Sequence, residues 1–466
     1  MKVNLKFLIF ELISIVIISG LIMAMFSKGV DLANVQLVTV LIFIAIIVPI
    51  IFEAKAKNES MLNAKNIVLV GPLIWILLDG LIVRSGIEEF PPEIVLQVFI
   101  MIFVFIFTIL LSYIIKWPNF FVGIFKVLDY GDNFKKGKLF NTIIVCLFLG
   151  LLPLAIWGGG IGKVLAALTS AGRWNAPWLR ARFGGPNDYI KSILNYFLIA
   201  GLQFCWFYLI FIKSKIHILL LSFIGLWVVF NTGTRSYFLA VLAPLIIMYY
   251  FNATNKRKKP IIILFVFTLV ILVLMQFQFI IRQASSKEKI ADVVKKTYSD
   301  VLESPIDYHR DDQFYQLLKY ASFVPDQIPY SGEVVILRPF YHAIPRFLWP
   351  NKPEGITRFF EEETNSKGVG MATWSASIIG DFYLCQGWLG IIIAGLLMGF
   401  LARQFDSLKD MAVRSPAVLF IYSYGIVFLF SSIRSFQIII EGWYIFILFY
   451  FLLKRLKKKE RKVVSI

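Results

Sequence analysis

Long apolar stretches, divided by short polar segments, recur along this chain from end to end. A helix needs roughly 20 predominantly apolar residues to cross a bilayer. Stretches of that kind open near Phe7, Asn34, Asn66, Ile94, Leu139, Ser192, Ile216, Arg235, Pro260, Trp388, Ser415 and Gln437. The pattern predicts an all-α polytopic membrane protein with about twelve transmembrane helices. The seventh and eighth nearly touch, and the turn-forming string Asn231-Thr-Gly-Thr-Arg-Ser236 separates them. Phe7 to Phe26 carries no small-residue cleavage site and reads as a retained span.

One connection breaks the rhythm. The chain divides into spans one to nine over residues 1–281, a large loop over 282–387, and spans ten to twelve with a basic tail over 388–466. A structureless loop of that size is unusual, so a small folded unit is expected there. Lys289 to Leu302 and Asp311 to Val324 have amphipathic helical spacing. Pro325, Pro329, Pro339, Pro345, Pro350 and Pro353 then punctuate a winding segment. A second loop, Gly158 to Lys191, is glycine-rich at its start and reads as holding a re-entrant or interfacial helix.

Charge orients the spans. The 466 residues are 58% hydrophobic and 16% charged, which excludes a disordered chain, yet 47 Lys+Arg against 29 Asp+Glu leave +18. The basic residues fall in alternate loops: Lys55, Lys57 and Lys65, then Lys116 to Lys138, Lys213 and Lys215, Lys256 to Lys259, Arg403 to Arg414, and the tail from Lys454 to Lys462. An acidic loop at Glu88, Glu89 and Glu93 lies between. The positive-inside rule then puts both termini in the cytoplasm and the large loop outside. The net charge is therefore an orientation signal, and a nucleic-acid partner is not expected. Cys146, Cys205 and Cys385 are scattered, with no CxxC, so neither a zinc site nor a disulfide framework is expected.

Candidate chemistry begins with arginines on the outer side: Arg173, Arg180 and Arg182 in one loop, Arg338, Arg346 and Arg358 in the large loop, and Arg235 and Arg434 at span mouths. In long loops a solvated or ion-paired arginine is the simpler reading. In short loops beside hydrocarbon a cation needs a partner, and guanidinium's planar fork suits phosphate. Glu441 lies two helical turns after Arg434, either as its ion-pair partner or lining a polar cavity. Asp79 and Arg84 read as an ion pair, Glu11 as a snorkelling acid, and His217 as an interface residue. His309 and His342 lie in the large loop. His342 sits between two arginines in Arg338-Pro-Phe-Tyr-His-Ala-Ile-Pro-Arg346, which favours its neutral form and suits a general base. A satisfied loop histidine is the alternative. Asp381 is the other candidate base, set against a helix N-terminal acid favoured by the dipole. Three scattered histidines give no metal triad, and no Walker or GxGxxG sequence supports a nucleotide site. Aromatics crowd the large loop. They read as an interface belt or loop core, or as a glycan cleft with Tyr341 and Trp349 as stacking candidates.

These pieces have an order. Gly233-Thr-Arg-Ser236 opens a span. Ile344-Pro-Arg-Phe-Leu-Trp-Pro-Asn-Lys-Pro353 and Ser377-Ile-Ile-Gly-Asp-Phe-Tyr383, with Gly387 and Gly390, follow, and an arginine precedes the last span. Together they resemble the Wzy-type oligosaccharide repeat-unit polymerases that build O-antigen, enterobacterial common antigen and capsule. The resemblance implies a GT-C-like glycosyltransferase of the bacterial inner membrane with its active site facing the periplasm. It implies an undecaprenyl-diphosphate-linked oligosaccharide as donor, no metal or other cofactor, and, as partners, membrane lipids and a chain-length regulator protein. Arg235 and Arg434 match the family's arginines and would bind the donor diphosphate, with Arg338 and Arg346 matching its arginine-bearing loop segment. His342 or Asp381 would deprotonate the acceptor hydroxyl, although family members vary at the position of Asp381. An O-antigen ligase shares these features. A flippase for lipid-linked oligosaccharide is a third reading, but it predicts internal repeats, which this sequence lacks.

Overall fold

Inside hydrocarbon every backbone N–H and C=O must pair within the protein, so long apolar runs become helices. The computed structural model describes residues 13, 14, 17, 20, 32–57, 61–78, 87–131, 134–169, 186–212, 216–231, 235–255, 270, 273–274, 313–332, 334–342, 344–345, 347–353 and 375–457. Among the described residues, nine α-helices with defined bounds lie in the first part: α1 Leu32–Lys57, α2 Ala64–Pro72, α3 Pro92–Ile114, α4 Phe120–Phe125, α5 Lys136–Trp157, α6 Ile161–Thr169, α7 Pro186–Phe211, α8 Ile216–Asn231 and α9 Arg235–Asn255. Six more follow: α10 Gln313–Phe323, α11 Val334–Tyr341, α12 Ser377–Asp406, α13 Lys409–Arg414, α14 Pro416–Ser432 and α15 Phe436–Leu456. Among the described residues there is no strand.

Six stretches are long and apolar enough to cross a membrane: Asn34–Ala56, Pro92–Ile114, Lys136–Trp157, Tyr189–Phe211, Ser377–Arg414 and Phe436–Leu456. Ala64–Leu77, Ile216–Asn231, Phe238–Ala253 and Pro416–Ser432 are shorter apolar helices. All ten lie at positions where the hydrophobic pattern places spans. Large apolar side chains such as Phe148, Phe223 and Phe451 point outward, which fits a membrane-embedded helical protein. The first and ninth expected spans lie almost wholly outside the described residues.

Helix α12 is the centre of the bundle, and it packs along α3. Gly395 and Gly399, four residues apart, face Thr108 and the carbonyls of Phe105 and Ile109, and a Cβ at either glycine would collide with that helix. Small residues at this spacing let two backbones approach closely in a membrane. Ser112 Oγ donates to Leu396 O across the same seam at 2.7 Å.

At both ends α12 presents a buried aspartate to the start of another helix. Asp406 accepts the N–H groups of Ala64 (2.8 Å) and Lys65 (3.0 Å), and the Tyr113 hydroxyl donates to it at 2.9 Å. Asp381 Oδ2 accepts the N–H of Phe436 at 2.9 Å and the hydroxyl of Ser435 at 3.2 Å. The first N–H groups of a helix have no partner within it, so each carboxylate supplies acceptors that apolar surroundings would not. Lys65 lies within α2 and is also buried, its Nζ 2.6 Å from Glu53 Oε2, so it is part of the packed fold and not of the basic loop in which the sequence pattern places it. The Asp406 end carries Lys116, Lys126, Lys135, Lys409, Arg414 and Lys454, while Glu89, Glu93 and Asp326 are exposed at the Asp381 end.

The structure moves one boundary. The hydrophobic pattern opens the tenth span at Trp388, whereas α12 begins at Ser377 and only breaks at Gln386 and Gly387. Gly387 has φ +58°, and its missing side chain leaves room for the Tyr330 hydroxyl. Residues Ser377 to Cys385 are all buried, so what read as the end of a loop belongs to the core. The described part of the large connection also docks on the bundle. Phe314, Leu317, Leu318 and Tyr320 of α10 are buried, with the Phe314 ring 5.4 Å from that of Phe99 on α3. The amphipathic stretch 289–302 lies outside the described residues. Helix α6 falls in the second loop and buries none of its residues.

Candidate functional site

The first turn of α15 is fixed before any chemistry is considered. Ser435 is its N-cap and accepts from the Gln437 N–H at 3.3 Å, while Asp381 reaches across from α12 to the Phe436 N–H. Gln437 and Glu441 then stand four residues apart on one helical face. Gln437 Nε2 donates to Glu441 Oε1 at 2.7 Å.

Helix α11 brings His342 to this pair. The His342 N–H donates to Arg338 O at 2.8 Å, closing the end of α11. Its Nε2 lies 3.3 Å from Gln437 Nε2. With the amide assigned this way round, Gln437 is the donor, so His342 Nε2 carries the lone pair and Nδ1 the proton. The imidazole stacks on Tyr444, with centroids 6.4 Å apart, and Tyr444 stacks in turn on Tyr196 of α7 at 6.3 Å. Lys352 Nζ donates to the carbonyls of His342 (3.2 Å) and Ile344 (2.8 Å). Burial, then the charges of Arg338 and Lys352, push the His342 pKa down to about 4. The ring is therefore neutral at pH 7. Arg338 lies within electrostatic reach of both His342 and Asp381.

The cluster thus joins α11, α12, α15 and α7. It offers a neutral imidazole, two cations, a carboxylate and stacked aromatic faces. Such a set can accept a proton from a hydroxyl and stabilise an anion, with planar surfaces nearby for a ring.

The candidate residues from the sequence fare differently. His342, Arg338 and Asp381 come together. Asp381 is only 4% exposed, and its Oδ2 is engaged by the start of α15. The guanidinium of Arg434 stands 5.6 Å from the Trp75 ring centroid, a cation–π distance. The Arg434 carbonyl accepts from Ser375 Oγ (2.6 Å) and Gln313 Nε2 (3.3 Å). Glu441 Oε1 accepts from Gln437 Nε2. Tyr341 is buried edge-on to the exposed Trp349, with centroids 5.8 Å apart. Arg235 opens α9, and its side chain lies outside the described residues. So do Arg346, Asp79, Arg84, Glu11, His309, Arg173, Arg180, Arg182 and Arg358. His217 is exposed at the start of α8, edge-on to Phe140. Sequence reasoning missed Gln437, Ser435, Tyr444 and Tyr196. Gln437 was legible in principle, as a second polar residue one turn before Glu441 in an otherwise apolar helix.

Residues 188–454 match the family model of a domain of unknown function, DUF8712. The chain belongs to this family. The DUF8712 region contains every residue of the cluster, from Tyr196 on α7 to Tyr444 on α15, as well as both aspartates of α12. Trp75, Glu53, Lys65 and all of α3 lie before it. The DUF8712 match gives the fold a family without giving it an activity. No solved structure matches the chain.

Proposed function

We propose that the chain is a membrane glycosyltransferase of the polysaccharide-polymerase type. It transfers a growing glycan from undecaprenyl diphosphate to the non-reducing end of an incoming lipid-linked repeat unit. In this reading about twelve spans of a GT-C-like fold sit in the bacterial inner membrane, with both termini cytoplasmic and the Asp381 end facing the periplasm. The charge difference between the two ends of the bundle supports that orientation.

The observation that carries the proposal is His342, neutral at pH 7, held against Gln437 at the mouth of a span and beside Arg338. The acceptor hydroxyl displaces the Gln437 amide, which stays bonded to Glu441, and gives its proton to the freed lone pair of His342 Nε2. The acceptor oxygen bonds to the anomeric carbon as the bond from that carbon to the diphosphate oxygen breaks. The electron pair leaves with undecaprenyl diphosphate, and Arg338, Arg434, Arg235 and Arg346 are the cations assigned to its charge. Asp381 serves as a positioning residue in this scheme, because its carboxylate holds the helix that carries Gln437 and Glu441. Tyr341 is the glycan-contacting residue in this scheme.

The test is incubation of the purified protein with a lipid-linked repeat unit, without nucleotide or added metal. A ladder of lengths supports polymerisation. Transfer only onto a lipid A-core acceptor makes the protein a ligase, and no glycosidic product overturns the assignment.

A further inference from the structure

Helix α11 has both ends tied to the mouths of apolar helices. Before it, the Ser331 N–H donates to Leu384 O (2.8 Å) and the Gly332 N–H to Cys385 O (3.1 Å), which fastens the incoming chain to the break in α12. Directly after that break, the exposed Trp388 and Leu389 open the outward-facing apolar stretch of α12. Beyond α11, His342 meets Gln437 in the first turn of α15. Eight helical residues cover about 12 Å, little more than the spacing of two packed helices. The element therefore runs across the end of the bundle, level with the point where two spans begin.

Its two faces differ. Arg338, Tyr341 and His342, spaced three and four apart, are buried or half-buried against the bundle. Leu337 and Phe340, also three apart, are exposed, and Ile344, Phe347, Leu348 and Trp349 extend the exposed apolar surface through the following turn. Phe340 is 78% exposed and Leu348 68%. A contiguous patch of this kind is unfavourable against water and marks an interaction surface. The segment that leads into it is fastened at the break just before Trp388 and Leu389 of a span, so the occupant that fits is the hydrocarbon edge of a leaflet. An amphipathic helix lies in that plane with its apolar face down.

We propose that α11 and the turn 347–349 form a membrane-interface element. Its apolar face is seated in the leaflet around the mouths of α12 and α15, and its polar face closes over the His342 cluster. The cluster then opens at the lipid boundary, where the head group of a membrane-borne molecule lies, and not toward bulk water. This placement rests on the membrane-embedded fold and not on the proposed glycan chemistry.

The experiment uses the full chain in phospholipid nanodiscs with spin labels at Phe340→Cys and, separately, Leu348→Cys. Cys146, Cys205 and Cys385 are buried and escape labelling. Phe148→Cys, outward on α5, serves as the lipid reference, and Asp326→Cys, exposed beside α10, as the water reference. Both test labels are expected to match the Phe148 site, relaxed by oxygen severalfold more than by a polar nickel chelate. A chelate response like that at Asp326 overturns the proposal. Exclusion of both reagents also overturns it, because another protein surface, such as a second copy of the chain, then covers the patch. None of these readouts uses activity, so their failure is distinct from failure of the polymerase reading.

Discussion

The side-chain nitrogen of Gln437 lies 3.3 Å from Nε2 of His342, joining two residues 95 positions apart at the end of the bundle. Because Gln437 Nε2 donates to Glu441, this contact favours the ring tautomer protonated on Nδ1. Nitrogen-15 NMR of histidine-labelled protein should show His342 neutral at pH 7 with its proton on Nδ1. The chain has only 3 histidines, so His342→Gln assigns the signal. Gln437→Leu removes a donor that favours the neutral form and should raise the pKa. A protonated ring at pH 7 in the parent protein would contradict the geometry.

The same shift sets a pH dependence. The His342 pKa is pushed from 6.5 to about 4. Between these values the unfolded ring binds a proton that the folded ring does not. Stability contributed by this site is therefore complete above about 6.5 and is lost as pH falls toward 4. Thermal unfolding followed between pH 4 and pH 7 should show a slope that His342→Gln reduces.

Asp381 separates a cap from a base. If its carboxylate serves chiefly to hold the start of α15, Asp381→Asn keeps an acceptor for the Phe436 N–H and stays close to the parent. Asp381→Ala should cost about 1 kcal/mol or more of stability. A general base would lose function equally in both variants, and comparing their melting temperatures with their product ladders distinguishes the roles.

Asp406 is the larger structural risk. Asp406→Ala leaves the Ala64 and Lys65 N–H groups and the Tyr113 hydroxyl without their buried acceptor. The expected loss is on the order of 3 kcal/mol or more, read by tryptophan fluorescence during unfolding in detergent. Asp406→Asn should be milder, since one acceptor oxygen remains.

The seam between α3 and α12 is equally specific. Gly399→Leu should disrupt it, because the added side chain meets the Ile109 carbonyl and Ser112. Gly137→Leu, where nothing lies within 4 Å of the added carbon, should leave the melting temperature nearly unchanged. Similar effects at both positions would mean that the helices do not approach as described.

In the proposed reaction, His342→Ala should lower product formation by about 100-fold or more, with Arg338→Ala weakening donor use. Product ladders from protein of matched folding check both, and an unchanged ladder from His342→Ala would remove His342 from the base role.

The hydrophobic pattern alone determined the class of this protein and the position of ten of its apolar helices. That follows because a bilayer leaves a long apolar segment no backbone solution but a helix, so local sequence suffices. The neutral tendency of His342 was legible only in part: Arg338 is a local neighbour, but burial, the larger cause, comes with the fold, and the second charge is that of Lys352. Three things were not legible. The true start of α12 at Ser377, the pairing of Asp381 and Asp406 with helix starts far away in sequence, and the meeting of His342 with Gln437 and Tyr444 all depend on residues tens to hundreds of positions apart. Hydropathy treats a polar residue in a span as an isolated cost. Only packing shows that Asp381, Asp406 and Gln437 meet hydrogen-bond partners brought to them by other helices, and so which of them hold the structure and which reach the site.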